Sequence, residues 1–330
     1  MIPFLAALVP DATAGVFNTK TMHGEWPDRQ AQREHVLPKG WMQLDVSVDN
    51  KTTHSFRDED GTKLRYDDRV AWSYTRMWLR FDQGFSRRIR IYMHVPWVEA
   101  RLRNDHGTLI STRALGDIQT GIVYQPVIGK RLALAGKLEV KAPSGVEWPG
   151  NFIGGPTGTD TFLTGTGITN VGVHALGRLL VLDGLAFSLD AAFVWKVPGI
   201  VGYVVETDGF GNGWLDPGDE LVAHGTMVHN WTRDFALSGD IRASFRTPYR
   251  IGVSGPSVWK AELDRMPGTA GGFLDLGMAA SWEPNPHIEL KAHFRSQVLG
   301  ADTTHFAALG LEEFSPQPGT ELGAGAVVRW

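Results

Sequence analysis

The feature that most constrains this chain is a two-residue period in polarity that recurs along most of its length. From Arg88 to Trp97 the odd positions Ile89, Ile91, Met93, Val95 and Trp97 are apolar, while the even ones begin Arg88, Arg90, Tyr92 and His94. Successive side chains of a β-strand point to opposite faces, so a strand of these residues has one apolar and one charged face. The separation recurs where Leu132, Leu134, Leu138 and Val140 oppose Arg131, Lys137, Glu139 and Lys141. Leu237, Ile241, Ala243, Phe245 and Tyr249 likewise oppose Ser238, Asp240, Arg242, Ser244 and Arg246. Ile288, Leu290, Ala292 and Phe294 oppose Glu289, Lys291, His293 and Arg295, and near the front Met42, Leu44, Val46 and Val48 alternate with Gln43, Asp45, Ser47 and Asp49. Helical spacing accounts poorly for all of them.

A soluble β-sandwich also has period two. Here, however, charges oppose apolar residues over eight or more positions, Trp and Tyr gather near strand ends, and no segment reads as buried on both faces. Those features predict an all-β fold, an antiparallel up-and-down transmembrane β-barrel with lipid outside and a polar lumen inside. Composition agrees. Charged residues make up 21% of the chain, mean hydropathy is -0.15, and no apolar run reaches the roughly 18 to 20 residues that a membrane-spanning helix needs. A net charge of -4 without a basic stripe gives no reason to propose a nucleic-acid partner. The absence of cysteine excludes disulfides, thiolate metal sites and cysteine nucleophiles.

Further candidate strands lie near 66–81, 112–126, 165–176, 185–197, 220–234, 271–282, 303–314 and 320–330, which brings the count to thirteen. A single-chain barrel with both termini in the periplasm needs an even number. Asp82–Ser86, Val127–Lys130, Thr232–Phe235 and Glu283–Pro286 read as short turns, and Asn104–Ser111, Pro143–Thr164, Pro198–Asp219 and Ile251–Ala270 as long loops. Their alternation fails only after Leu299. The surplus strand is therefore expected there, leaving about twelve within a range of 10–14. Residues 1–14 read as a signal-peptide remnant, with Ala12-Thr13-Ala14 as the cleavage pattern. Residues 15–40 read as an N-terminal periplasmic segment or plug, the tail being preferred, and 41–330 as the barrel.

From Glu321 to Trp330 the positions Leu322, Ala324, Ala326, Val328 and Trp330 are apolar and Arg329 faces the other way. This resembles the closing strand of outer-membrane proteins, which implies insertion in the outer membrane of a Gram-negative bacterium, with its lipid and the barrel assembly machinery as partners. Four short motifs carry a second resemblance: Val95-Pro96-Trp97-Val98, Leu115-Gly116-Asp117-Ile118 leading to Tyr124, Lys141-Ala142-Pro143-Ser144-Gly145, and Gly165-Thr166-Gly167. Their order is similar to that in a family of outer-membrane transporters associated with meta-pathway phenol degradation. The resemblance implies a barrel and a small, aromatic or hydrophobic solute. Physically the motifs are punctuation, since Pro and Gly end strands and set turns.

The inward faces gather Asp45, Asp49, Arg88, Arg90, His94, Lys137, Glu139 and Lys141 from the first half, and Asp240, Arg242, Arg246, Glu289, Lys291, His293 and Arg295 from the second. Such charges must pair in a filled interior or face water in a channel, and the sequence leaves both open. In the segment from Asp208 to Glu220, Asp208, Asn212, Asp216 and Asp219 stand at positions 1, 5, 9 and 12 of a calcium-loop spacing, with Trp214 at position 7 offering its carbonyl. The bland alternative is a Gly-rich acidic turn, and no other cofactor is implied. No H-E-x-x-H, G-x-S-x-G or P-loop pattern is present, which argues against an enzyme. The expected function is a passive outer-membrane channel for small solutes. The alternatives are a closed structural or adhesive surface barrel and, last, a lipid-modifying enzyme.

Overall fold

The computed structural model describes residues 29–33, 35–53, 55–57, 63–65, 71–104, 107–129, 131–145, 168–205, 209–216, 218–248, 250–253, 264–265, 270–301 and 319–330. Twelve strands form the wall. They are β1 (Met42–Thr53), β2 (Ala71–Gly84), β3 (Ile89–Asn104), β4 (Ile118–Ile128), β5 (Leu132–Ala142), β6 (Asn170–Leu182), β7 (Leu185–Lys196), β8 (Glu220–Asn230), β9 (Phe235–Arg246), β10 (Gly271–Asn285), β11 (Ile288–Ala301) and β12 (Thr320–Arg329). Each is antiparallel to its chain neighbours, and β1 closes on β12 from Gln43↔Arg329 to Thr52↔Thr320. Met42 N–H donates to the Trp330 carbonyl at 2.8 Å, and Trp330 N–H returns a bond to Met42 at 3.0 Å. Closure removes the unpaired edges that an open sheet would expose.

β11 pairs directly with β12, so no strand intervenes between them. The surplus candidate at 303–314 is thereby removed from the wall, and its residues lie outside the described ones. Connections around 85–88, 129–131, 183–184, 231–234 and 286–287 are short, while the others run from 13 residues at 105–117 to 27 at 143–169. Met42 and Trp330 end the wall on the short-turn side.

Burial is inverted relative to a soluble protein. Val46, Leu79, Met93, Leu134, Leu189 and Ile241 are exposed, whereas Asp45, Asp49, Asp82, Lys141, Arg178 and Arg246 are buried. An apolar face of this extent must be covered by something other than the protein itself, and lipid fits it. Exposed Phe85, Trp231 and Trp282 lie at the short-turn rim, with Phe193, Trp195 and Phe245 toward the long loops. The two groups are about ten residues apart along a strand, which at a tilt near 45° gives a band roughly 25 Å tall.

β3 changes partner midway. It pairs with β4 only from Ile89↔Tyr124 to His94↔Gln119, and from Trp97 onward with the strand Gly107–Leu115. Pro96, which has no N–H to donate, marks the changeover, and its carbonyl accepts Gly116 N–H at 2.8 Å. Ser144 Oγ accepts Ile118 N–H at 2.8 Å and donates to the Gly116 carbonyl at 2.9 Å. Gly145 N–H donates to Asp117 at 3.1 Å, and Lys141 lies 3.5 Å from the same carboxylate. Three of the four motifs thus build one corner of the wall. Gly165-Thr166-Gly167 lies outside the described residues.

Residues ahead of β1 enter the short-turn end of the barrel. Gln30–Gln32 make one 3₁₀ turn, Ala31 N–H donates to Asn230 Oδ1 at 2.9 Å, and Arg178 donates to the Ala31 carbonyl at 2.5 Å. Arg33 pairs with Glu283 and with Glu289, and the same two carboxylates hold Arg329. Val36 packs with Tyr92, Val123, Ala135 and Leu176. The chain then turns through Gly40, at a positive φ of 85° that favours glycine, and buried Trp41 stacks on His287. Residues 1–28, the signal-remnant expectation included, lie outside the described residues.

Candidate functional site

The inward side chains form a ladder of ion pairs and, toward the long loops, a chamber. On β1, Asp45 takes Arg80 at 3.3 Å and also Lys291. Asp49 accepts Trp78 Nε1–H at 3.0 Å and lies 3.3 Å from His293, whose Nε2 is 3.4 Å from Glu321. Arg295 continues the chain to Asp240 at 3.2 Å, and Asp240 meets His224 at 3.2 Å. On the opposite wall Lys137 and the Tyr92 hydroxyl share Glu139, at 3.2 and 2.6 Å, while His174 bonds Asp190 at 2.8 Å. Lys196 holds Glu220 at 3.2 Å. Burying these charges is tolerable because opposite charges meet across neighbouring strands.

Above the N-terminal segment the ladder surrounds a cavity of about 710 Å³, within the range of small-molecule sites. Its wall carries aromatic as well as ionic groups. The Arg76 and Arg80 guanidiniums lie 4.7 and 4.9 Å from the Trp78 ring centroid, and Arg242 lies 5.3 Å from that of Phe273.

Of the residues expected on the lumenal path, His94, Lys137, Glu139, Lys141, Arg242, Arg246 and Arg295 line this cavity. Asp45, Asp49, Asp240, Lys291 and His293 stand in the ladder around it. Arg90 pairs with Asp82 at 3.5 Å, and Glu289 binds the N-terminal segment through Gln30 and Arg33. Arg88 is a correction. It is exposed in the turn before β3, its N–H bonded to Ser86 Oγ at 3.1 Å, because the alternation was carried one residue beyond the strand's start.

Reading the sequence missed Arg76, Trp78 and Arg80, where an inward Trp hides the polar face of β2. The usable signal was a basic residue on each side of that Trp at strand spacing. It also missed Asp190, Lys196, Glu220, Asp275 and Glu321, which lie on less regular strands but line the same cavity.

The calcium-loop geometry is a second correction. Residues 209–216, with Asn212 and Trp214 among them, form an extended strand paired on both sides, so the backbone does not wrap around a centre. Asp216 is buried and accepts Arg250 Nε–H at 2.9 Å, and Asp219 accepts Lys196 N–H at 3.2 Å. Asp208 lies outside the described residues.

No family model matches the chain, and no curated protein matches it in sequence. Solved structures do. An outer membrane channel from Pseudomonas putida F1 superposes with a TM-score of 0.67 at 13% identity, covering 89% of this chain and 97% of that one. The translocator domain of the autotransporter NalP from Neisseria meningitidis gives 0.47 at 10% identity, covering 90% of each. The Pseudomonas putida toluene transporter TodX gives 0.39 at 12% identity, with 88% and 87% covered. At such identities the first likeness concerns the fold, which is the closed antiparallel barrel of outer-membrane proteins.

Proposed function

We propose that this chain is a passive outer-membrane channel of a Gram-negative bacterium, admitting small solutes from the long-loop side into the chamber. The observation that carries the reading is the cavity of about 710 Å³ inside a closed wall whose outer face is apolar and whose inner face is charged. A barrel needed only as a scaffold gains nothing from keeping such a chamber lined with ionic side chains, since packed apolar residues fill an interior at lower desolvation cost. Diffusion down a gradient requires no cofactor and no catalytic group. In this reading the short turns face the periplasm, the 321–330 strand engages the assembly machinery, and lipid covers the exposed aliphatic belt. The family resemblance carried by the four motifs adds small aromatic or hydrophobic molecules as candidate solutes.

Residues 29–33 and 35–38 stand across the exit, so the conducting state requires them to shift. Planar-bilayer recording of the whole chain should give low conductance, and a variant lacking 29–38 should conduct at least about tenfold more, as expected when a pore constriction is removed. Liposome swelling with small neutral sugars should follow the same order. If neither protein conducts nor swells liposomes, the channel reading fails and a closed surface barrel acting through its long loops replaces it.

A further inference from the structure

We propose that the chamber is a binding site for small organic anions, specifically carboxylates carrying an aromatic or other planar body. This rests on the channel reading and names its solute. Nine Lys and Arg side chains line the chamber against five Asp and Glu, although the whole chain carries a net charge of -4. The surplus is therefore local. It arises because the ion pairs are oriented. Asp45, Asp49 and Asp117, which hold Arg80, Arg76 and Lys141, are absent from the lining and are only 7, 8 and 2% exposed. The Arg80 and Arg76 side chains are 27 and 21% exposed. Carboxylates sit in the wall and guanidinium heads face the space. Of the acids that do line the chamber, Glu139, Asp190, Glu220 and Glu321 each already engage a base. A cleft walled by one sign in low-dielectric surroundings concentrates ions of the other sign.

The planar part of the solute follows from the aromatic partners. Trp78 is flanked by Arg76 and Arg80 on β2, and Phe273 on β10 lies beneath Arg242 on β9. The shorter way round the wall puts five steps between β2 and β9, so the two stacks stand across the chamber from each other. Stacking engages the guanidinium face and fixes its plane, so the N–H edge of Arg242 can serve as the donor fork for a carboxylate. A flat body can lie against the ring edges while its carboxylate meets that fork.

The test is isothermal titration of the full-length protein in detergent micelles with benzoate, benzyl alcohol and benzylammonium, which share a ring and differ in charge. Benzoate should bind at least about tenfold more tightly than benzylammonium, and more weakly as salt rises. Arg242→Gln should weaken benzoate about fivefold and leave benzyl alcohol unchanged. Equal affinities for the three compounds, a preference for benzylammonium, or no benzoate binding overturns the inference. The three-way comparison on unsubstituted protein stands whether or not the variant folds. Swelling of liposomes by a neutral sugar, measured on the same preparation, separates the two claims. Permeation without benzoate binding sinks the anion site alone, whereas benzoate binding without permeation by either this protein or the variant lacking 29–38 supports the site and sinks the channel.

Discussion

Tyr92 is held from two directions at once. Its hydroxyl donates to Glu139 at 2.6 Å, and its ring covers Gly121, the residue opposite it on β4. A methyl group at 121 would come within 2.4 Å of the Tyr92 hydroxyl and 2.5 Å of the Leu138 carbonyl, and the latter is backbone that cannot swing away. Tyr92→Phe should therefore cost about 2 kcal/mol, the usual worth of a hydrogen bond to a charged group. Gly121→Ala should cost more, because it displaces both the ring and the ladder. Urea unfolding in lipid vesicles gives the order, and a larger loss for Tyr92→Phe would show that the ring does not depend on the glycine. At this scale the sequence was legible where a face is uniform. Lys137, Glu139 and Lys141 could be placed inside from alternation alone, but Trp78 could not, because an aromatic on the polar face looks like a break in the pattern. Arg88 shows the converse error: parity continues through a turn, although the strand does not.

The N-terminal segment is the element whose role the sequence left least defined. Polar, Pro-containing and without alternation, residues 15–40 gave no periodic signal, because the part that enters the barrel is held by scattered side chains from Gln125 to Glu289 rather than by a ladder. His35 ties this element to pH. Burial, with the Arg90 and Arg178 guanidiniums nearby and only Asp190 opposing them, pushes its pKa from near 6.5 down to about 4. Its N–H bonds Gln125 at 3.1 Å and its buried Nε2 has no hydrogen-bond partner among the described residues. The seated form thus holds His35 neutral, whereas a released segment would protonate it near 6.5. Above that pH both forms are neutral and nothing changes. As pH falls from about 6.5 toward about 4, the released form gains a proton that the seated form does not, so seating weakens. Protease accessibility at Arg33, followed against pH, should rise across that window and stay flat in His35→Gln. A flat profile in the unsubstituted protein would remove His35 from control of the segment.

At the scale of the whole molecule, the wall was legible because a membrane reverses the usual distribution of polarity and imposes the reversal on every strand. The chamber was not, because its lining draws on all twelve strands and exists only once β1 has met β12. That meeting ends on the paired backbone bonds between Met42 and Trp330. Deleting Trp330 removes both, and the fraction of chain reaching the heat-modifiable, compact form on gels should fall. An undiminished fraction would mean that closure is complete before the last residue pairs. The residues that fill the barrel mouth are joined to it differently. They make one 3₁₀ turn and a set of separate side-chain bonds, and Gln32, near their upstream end, donates to the Asp183 carbonyl at the same rim where Trp41 leads into the wall. Tension applied from that rim to the chain ahead of Arg29 would load those bonds in succession, as in peeling, whereas each wall ladder would share a load in shear over its full length. Mechanically, the barrel's contents can be drawn out while the barrel holds.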